Sequence, residues 1–217
     1  MKKLTIFFLF FFSILQAQNE KNNLDQKYLD DQIYITAVYQ KLFNLPNEIS
    51  ETGFSYGIGF GVIKDIPMNS KRNVGFGIGL GYAFNVHYFN VKEFGLPIQD
   101  SNETKSNKIA LHMLDLPIEF RFRTSTPQKY KFWRFYPGFK FSYAFAQDTK
   151  LKQSENFEVD KVIEINDFQY GITLSAGYNK WNLHVYYGLS ELFNEAKNND
   201  FQITPHEFKI GLIFYIL

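Results

Sequence analysis

The sequence predicts an all-β fold, an eight-stranded antiparallel up-and-down transmembrane β-barrel with both termini in the periplasm. Three observations lead there. Eight segments alternate bulky apolar residues with small or polar ones at period two, the side-chain period of a strand. The bulky face has nothing apolar opposite it, as expected of a strand with lipid outside and a lumen inside. The connections alternate short and long, as periplasmic turns and extracellular loops do in such barrels. Val74–Tyr88 displays the second observation most plainly. Val74, Phe76, Ile78, Leu80, Tyr82, Phe84, Val86 and Tyr88 share one face, against Gly75, Gly77, Gly79, Gly81, Ala83, Asn85 and His87 on the other.

The elements follow in chain order. Residues 1–17 read as a secretory leader, with Lys2 and Lys3 as the charged start, Leu4 to Leu15 as the apolar stretch and Ala17 at the cleavage position. That apolar stretch is shorter than the ~20 residues of a spanning helix. Residues 18–30 form a short periplasmic segment and 31–217 the barrel domain. The leader takes Lys2 and Lys3 and no acid with it, moving the formal net charge from +1 to −1. A near-neutral chain without a basic tract argues against a nucleic-acid partner. Cysteine is absent, which excludes disulfides and thiolate metal sites. Phenylalanine (25) and tyrosine (14) exceed what a soluble domain needs. Sec-dependent export followed by insertion into the outer membrane of a Gram-negative cell is the expected route, with outer-membrane lipid and the assembly machinery as partners.

The predicted strands are Gln32–Phe43, Phe54–Ile63, Val74–Phe89, Ile109–Arg123, Phe132–Phe145, Asp167–Asn179, Trp181–Leu189 and Glu207–Leu217. Most carry the ~9–11 residues of a tilted membrane-crossing strand. In the second, Phe54, Tyr56, Ile58, Phe60 and Val62 oppose Ser55, Gly57, Gly59 and Gly61. In the sixth, Phe168, Tyr170, Ile172 and Leu174 oppose Gln169, Gly171, Thr173 and Ser175. Lys64–Asn73, Thr124–Lys131 and the Asn179-Lys180 hairpin are short, and Asn44–Gly53 is of middling size. Asn90–Lys108, Ala146–Asn166 and Ser190–His206 are long and polar, and these become the extracellular loops. Trp133 and Trp181 begin strands beside short turns, where a periplasmic aromatic girdle explains them.

The lumen is expected to be filled with charge. Asp115, Glu119, Arg121 and Arg123 share the inner face of the fourth strand, Arg134 and Lys140 that of the fifth, and Lys209 that of the eighth. Turned to lipid, such charges cost ~2–4 kcal/mol each near the midplane. Inside, Asp115 and Glu119 are expected to pair with Arg121, Arg134 or Lys140 across the ladder of the fourth and fifth strands. Gly57, Gly59, Gly61, Gly75, Gly77, Gly79 and Gly81 then leave room for long charged side chains reaching across. An eight-stranded barrel holds little more than its own side chains, so a diffusion pore is not expected. Pro117 and Pro137 inside strands suggest bulges, since proline cannot donate to the ladder.

No cofactor or metal is expected. The alternating glycines lack nucleotide-binding spacing, and the four histidines are scattered. Ser142, His184 and Glu119 are the hydrolase candidates, and they fall on different strands. Lys209, Gly211, Phe214 and Ile216 resemble the C-terminal signal read by the outer-membrane assembly machinery. The stretch from Leu114 to Pro127, LDLPIEFRFRTSTP, followed by Tyr130–Gly138, YKFWRFYPG, resembles the PorT-type outer-membrane β-barrel proteins of Bacteroidota. The resemblance implies a small barrel with no catalytic residues to carry over, and association with type IX protein secretion. The expected role is non-enzymatic, structural or accessory to secretion, with recognition through the extracellular loops. A lipid-modifying enzyme and a narrow channel are the alternatives.

Overall fold

A computed structural model describes residues 31–45, 49–51, 53–91, 107–124, 132–150, 165–193 and 205–216. They form nine strands: β1 (Asp31–Phe43), β2 (Ile49–Glu51), β3 (Tyr56–Pro67), β4 (Val74–Val91), β5 (Asn107–Arg123), β6 (Trp133–Lys150), β7 (Phe168–Tyr178), β8 (Trp181–Glu191) and β9 (His206–Ile216). Eight of them close into one antiparallel barrel of sequence neighbours, sealed where β1 meets β9 from Ile33↔Ile216 to Phe43↔His206. The three-residue β2 lies end to end with β3 along β4. It pairs with Phe89–Val91, beyond the last β3 pair at Tyr56↔Val86. The leader, the 18–30 segment, Leu217 and most of the three long loops lie outside the described residues.

Two strands run four or more residues further than their sequence pattern suggests. β3 continues past Ile63 to Pro67, and β6 past Phe145 to Lys150. The first extension matters for the lumen, because it carries Asp65 inward. The prolines do not create bulges. Ile78↔Ile118 and Gly81↔Asp115 flank Pro117 in one register, as Glu119↔Gly138 and Phe122↔Phe135 flank Pro137. The missing N–H interrupts the ladder locally, and neighbouring bonds keep the alignment. The shift in the β5–β6 ladder lies instead at His112/Met113, where Ala146 and Ala144 are their partners and Phe145 is the extra residue.

The outward face is apolar along every barrel strand. Ile35, Phe60, Leu80, Phe120, Phe135, Leu174 and Leu183 are all exposed there, which in water would be a severe aggregation hazard and in lipid is the buried state. Trp133 and Trp181 are 63% and 65% exposed beside the short turns, against Tyr178 at 5.3 Å and Phe214 at 5.4 Å between ring centroids. Asn179 closes the β7–β8 hairpin at φ 59°, a left-handed conformation that asparagine tolerates. Inside, Tyr34, Ile63, Tyr136, Ile213 and Tyr215 pack as one cluster. A second cluster, including Leu42, Leu111, Met113, Ile165 and Phe193, lies toward the long-loop end.

Candidate functional site

The lumen of the barrel is the most concentrated chemistry in the described chain. Inward parity on β5 carries Asp115, Glu119, Arg121 and Arg123, all buried. Nearest the short turns, Arg121 is the hub. Its Nη1 donates to Asp65 Oδ1 at 2.9 Å and Gln32 Oε1 at 3.3 Å, and its Nε to Glu119 Oε2 at 2.9 Å. The guanidinium lies between the rings of Tyr136, at 5.0 Å, and Tyr215, at 5.5 Å. Tyr215 Oη donates to the other Glu119 oxygen at 2.8 Å. Arg123 holds the second oxygen of Asp65 and donates through Nε to the Arg72 carbonyl at 2.7 Å. Arg134 donates to the Asn179 carbonyl and stacks over Phe132 at 4.4 Å.

The middle of the lumen holds a smaller set. Asp115 accepts from Ser142 Oγ at 2.7 Å and pairs with Lys140 Nζ at 3.3 Å. Lys140 and Lys209 both lie over the ring of Tyr186, at 4.5 and 5.3 Å. Above them Glu207 pairs with Lys209 Nζ at 2.9 Å and meets His87 Nε2 at 3.0 Å. Gln40 donates to Asn85 at 3.2 Å at the base of the apolar cluster. A cavity of about 40 Å³ remains between Tyr34, Asp115, Lys140, His184 and Lys209. That is room for a few waters.

The pairings differ in part from the cross-ladder expectation. Glu119 pairs with Arg121 along its own strand, two residues on, while Asp115 reaches Lys140 on β6. Arg134 has no carboxylate partner among the described residues. Asp65, Glu207 and His87 complete the network; Asp65 could have been found by carrying the alternation of Gly57, Gly59, Gly61 and Ile63 one step further. The glycines also divide. A Cβ on Gly77 would meet Arg121 Nε at 2.6 Å, and one on Gly75 would meet Arg123 at 3.1 Å. The space beside Gly57, Gly59, Gly61 and Gly81 is taken instead by Gln40, Thr36 and Tyr34 of the neighbouring β1, and that beside Gly79 by Pro117 and Ile63. The reason is proximity: β1 pairs directly with β3, so its inward side chains lean over the glycine rows first.

Ser142, His184 and Glu119 do not converge. Ser142 binds Asp115, His184 Nδ1 is 2.8 Å from Ser175 Oγ, and Glu119 is held by Arg121 and Tyr215. Among the described residues no three metal-ligating side chains gather at one point. Of the C-terminal positions, Lys209 is buried inward while Ile216 is exposed on the outer row it shares with Phe214. Residues 16–194 match a family model described as outer membrane protein beta-barrel domain. No curated protein matches the chain.

Proposed function

The chain belongs to the outer-membrane β-barrel domain family, and on that premise we propose a small non-enzymatic barrel, structural or accessory to protein secretion, that works through its outer surfaces. The observation that carries this reading is the occupancy of the lumen. Asp65, Asp115, Glu119 and Glu207 each have a cationic partner inside, and the cavity beside Asp115 and Lys140 measures only about 40 Å³. A filled interior supports recognition through the long loops and the membrane-facing wall over passage of a solute. The similarity of Leu114–Pro127 and Tyr130–Gly138 to PorT-type barrels supports type IX secretion as the process served, with secretion-system proteins as partners. Deleting the gene and comparing secreted proteins by mass spectrometry tests this. Loss of a subset of exported proteins from the medium is expected. An unchanged profile would remove the secretion role and leave a structural one.

A further inference from the structure

His112 is among the polar groups that interrupt the apolar wall. His112 lies on the outward row of β5, between Phe84 of β4 and Ala146 of β6, at the register shift described above. Its Nδ1 is 2.6 Å from Tyr82 Oη, and the rings of Tyr82, Phe84 and Phe145 stand 5.0–6.2 Å from the imidazole. The extra residue of the bulge, Phe145, thus closes the third side of an aromatic cradle. The nearest acid among the described residues is Asp148, whose Oδ2 is 3.9 Å from Nε2, beyond hydrogen-bond distance, on a carboxylate that is 73% exposed. Lys108 lies four residues away at the same strand parity, opposite Tyr88 and beyond the buried Ala110.

We propose that His112, oriented by Tyr82, docks the phosphate of a lipid headgroup against the barrel wall at its long-loop end. With the phenol donating to Nδ1, the neutral imidazole carries its proton on Nε2 and offers it outward to an anionic oxygen. The height suits a headgroup. His112 is ten residues beyond Phe122 at the short-turn end, about 33 Å along the strand. At a tilt of about 40° that is roughly 25 Å of rise, the upper margin of an apolar band about 25 Å tall. The cradle gives the first acyl carbons an apolar wall below the charge. Nothing in this inference depends on the secretion reading, so either can fail alone.

The test uses the full chain folded in dodecyl maltoside, with lipid adducts counted by native mass spectrometry. Dioleoyl phosphatidic acid is expected to be retained about tenfold better than dioleoylglycerol, which has the same tails and no phosphate. Tyr82→Phe removes one oxygen from an outward ring, and His112→Phe removes the donor. Each is expected to lower phosphatidic acid retention about tenfold, with unchanged heat-modifiable gel mobility as the check on folding. Asp148→Asn is expected to leave retention equal or raise it. Equal retention by the native chain and both variants overturns the proposal. So does displacement of the lipid by millimolar inorganic phosphate, which would mark a free-anion site, or weaker retention in Asp148→Asn, which would mark a cation site.

Discussion

Arg121→Met is expected to destabilise the barrel by about 3–5 kcal/mol, the cost of stranding a buried ion pair's partners. The arginine is fully buried, and its removal leaves Glu119 without a cation and Asp65 with Arg123 alone. Methionine keeps much of the volume between Tyr136 and Tyr215, so the loss is mainly electrostatic. The measurement is a urea titration of the barrel folded in detergent, read by heat-modifiable gel mobility. Adding Glu119→Leu to Arg121→Met removes the stranded carboxylate and keeps the Asp65–Arg123 pair, and is expected to restore much of the loss. A change below about 1 kcal/mol for Arg121→Met alone would mean that water reaches Asp65 and Glu119 in its place.

Gly81→Val tests the other half of the lumen, where space and not charge decides. A Cβ there would collide with the Tyr34 phenol and lie 2.8 Å from the Phe60 carbonyl oxygen. Tyr34 cannot retreat easily, since its ring edge also lies against Gly61 and packs with Ile63, Tyr136, Ile213 and Tyr215. Overpacking of this kind costs about 1–3 kcal/mol for one added carbon and more for valine's three. Tyr34→Ala in the same chain is expected to return at least about 1 kcal/mol of coupling between the two sites. Gly75→Ala serves as the contrast. Its Cβ would meet Arg123 Nη2 at 3.1 Å and the Ile66 carbonyl at 3.2 Å, a tight fit with a side-chain end that can yield. The entropy lost from the unfolded chain offsets part of that, so the net effect is expected to stay within about 1 kcal/mol. Equal losses at Gly81 and Gly75 would contradict the packing described for Tyr34.

The fold was legible because a membrane barrel writes itself twice in the chain. Alternation places Phe76 and Gly77 on opposite faces, and loop lengths order the strands independently of it. β2 was not legible, since three residues carry no period. The end of β3 was misread for a related reason: Lys64 on the outer face breaks the apolar row, although Asp65 continues the inner one. In the lumen, parity places Arg121 inward without any structure. Its partners cannot be read that way, because Asp65, Gln32 and Tyr215 lie on β3, β1 and β9, and their meeting depends on how eight strands close. The same holds for Gly81, whose neighbour Tyr34 is a matter of register between β1, β3 and β4. His112 is the opposite case. Its outward position follows from alternation alone, while the bulge at Phe145 that completes its surroundings does not.

Ion pairs and apolar packing fill the lumen, and a lumen so filled is expected to be closed to solutes. Single-channel recording of the purified barrel in a planar bilayer addresses it most directly. The native chain is expected to show no steps above baseline in molar potassium chloride. Steady conductance steps of the kind an open aqueous channel gives would contradict it.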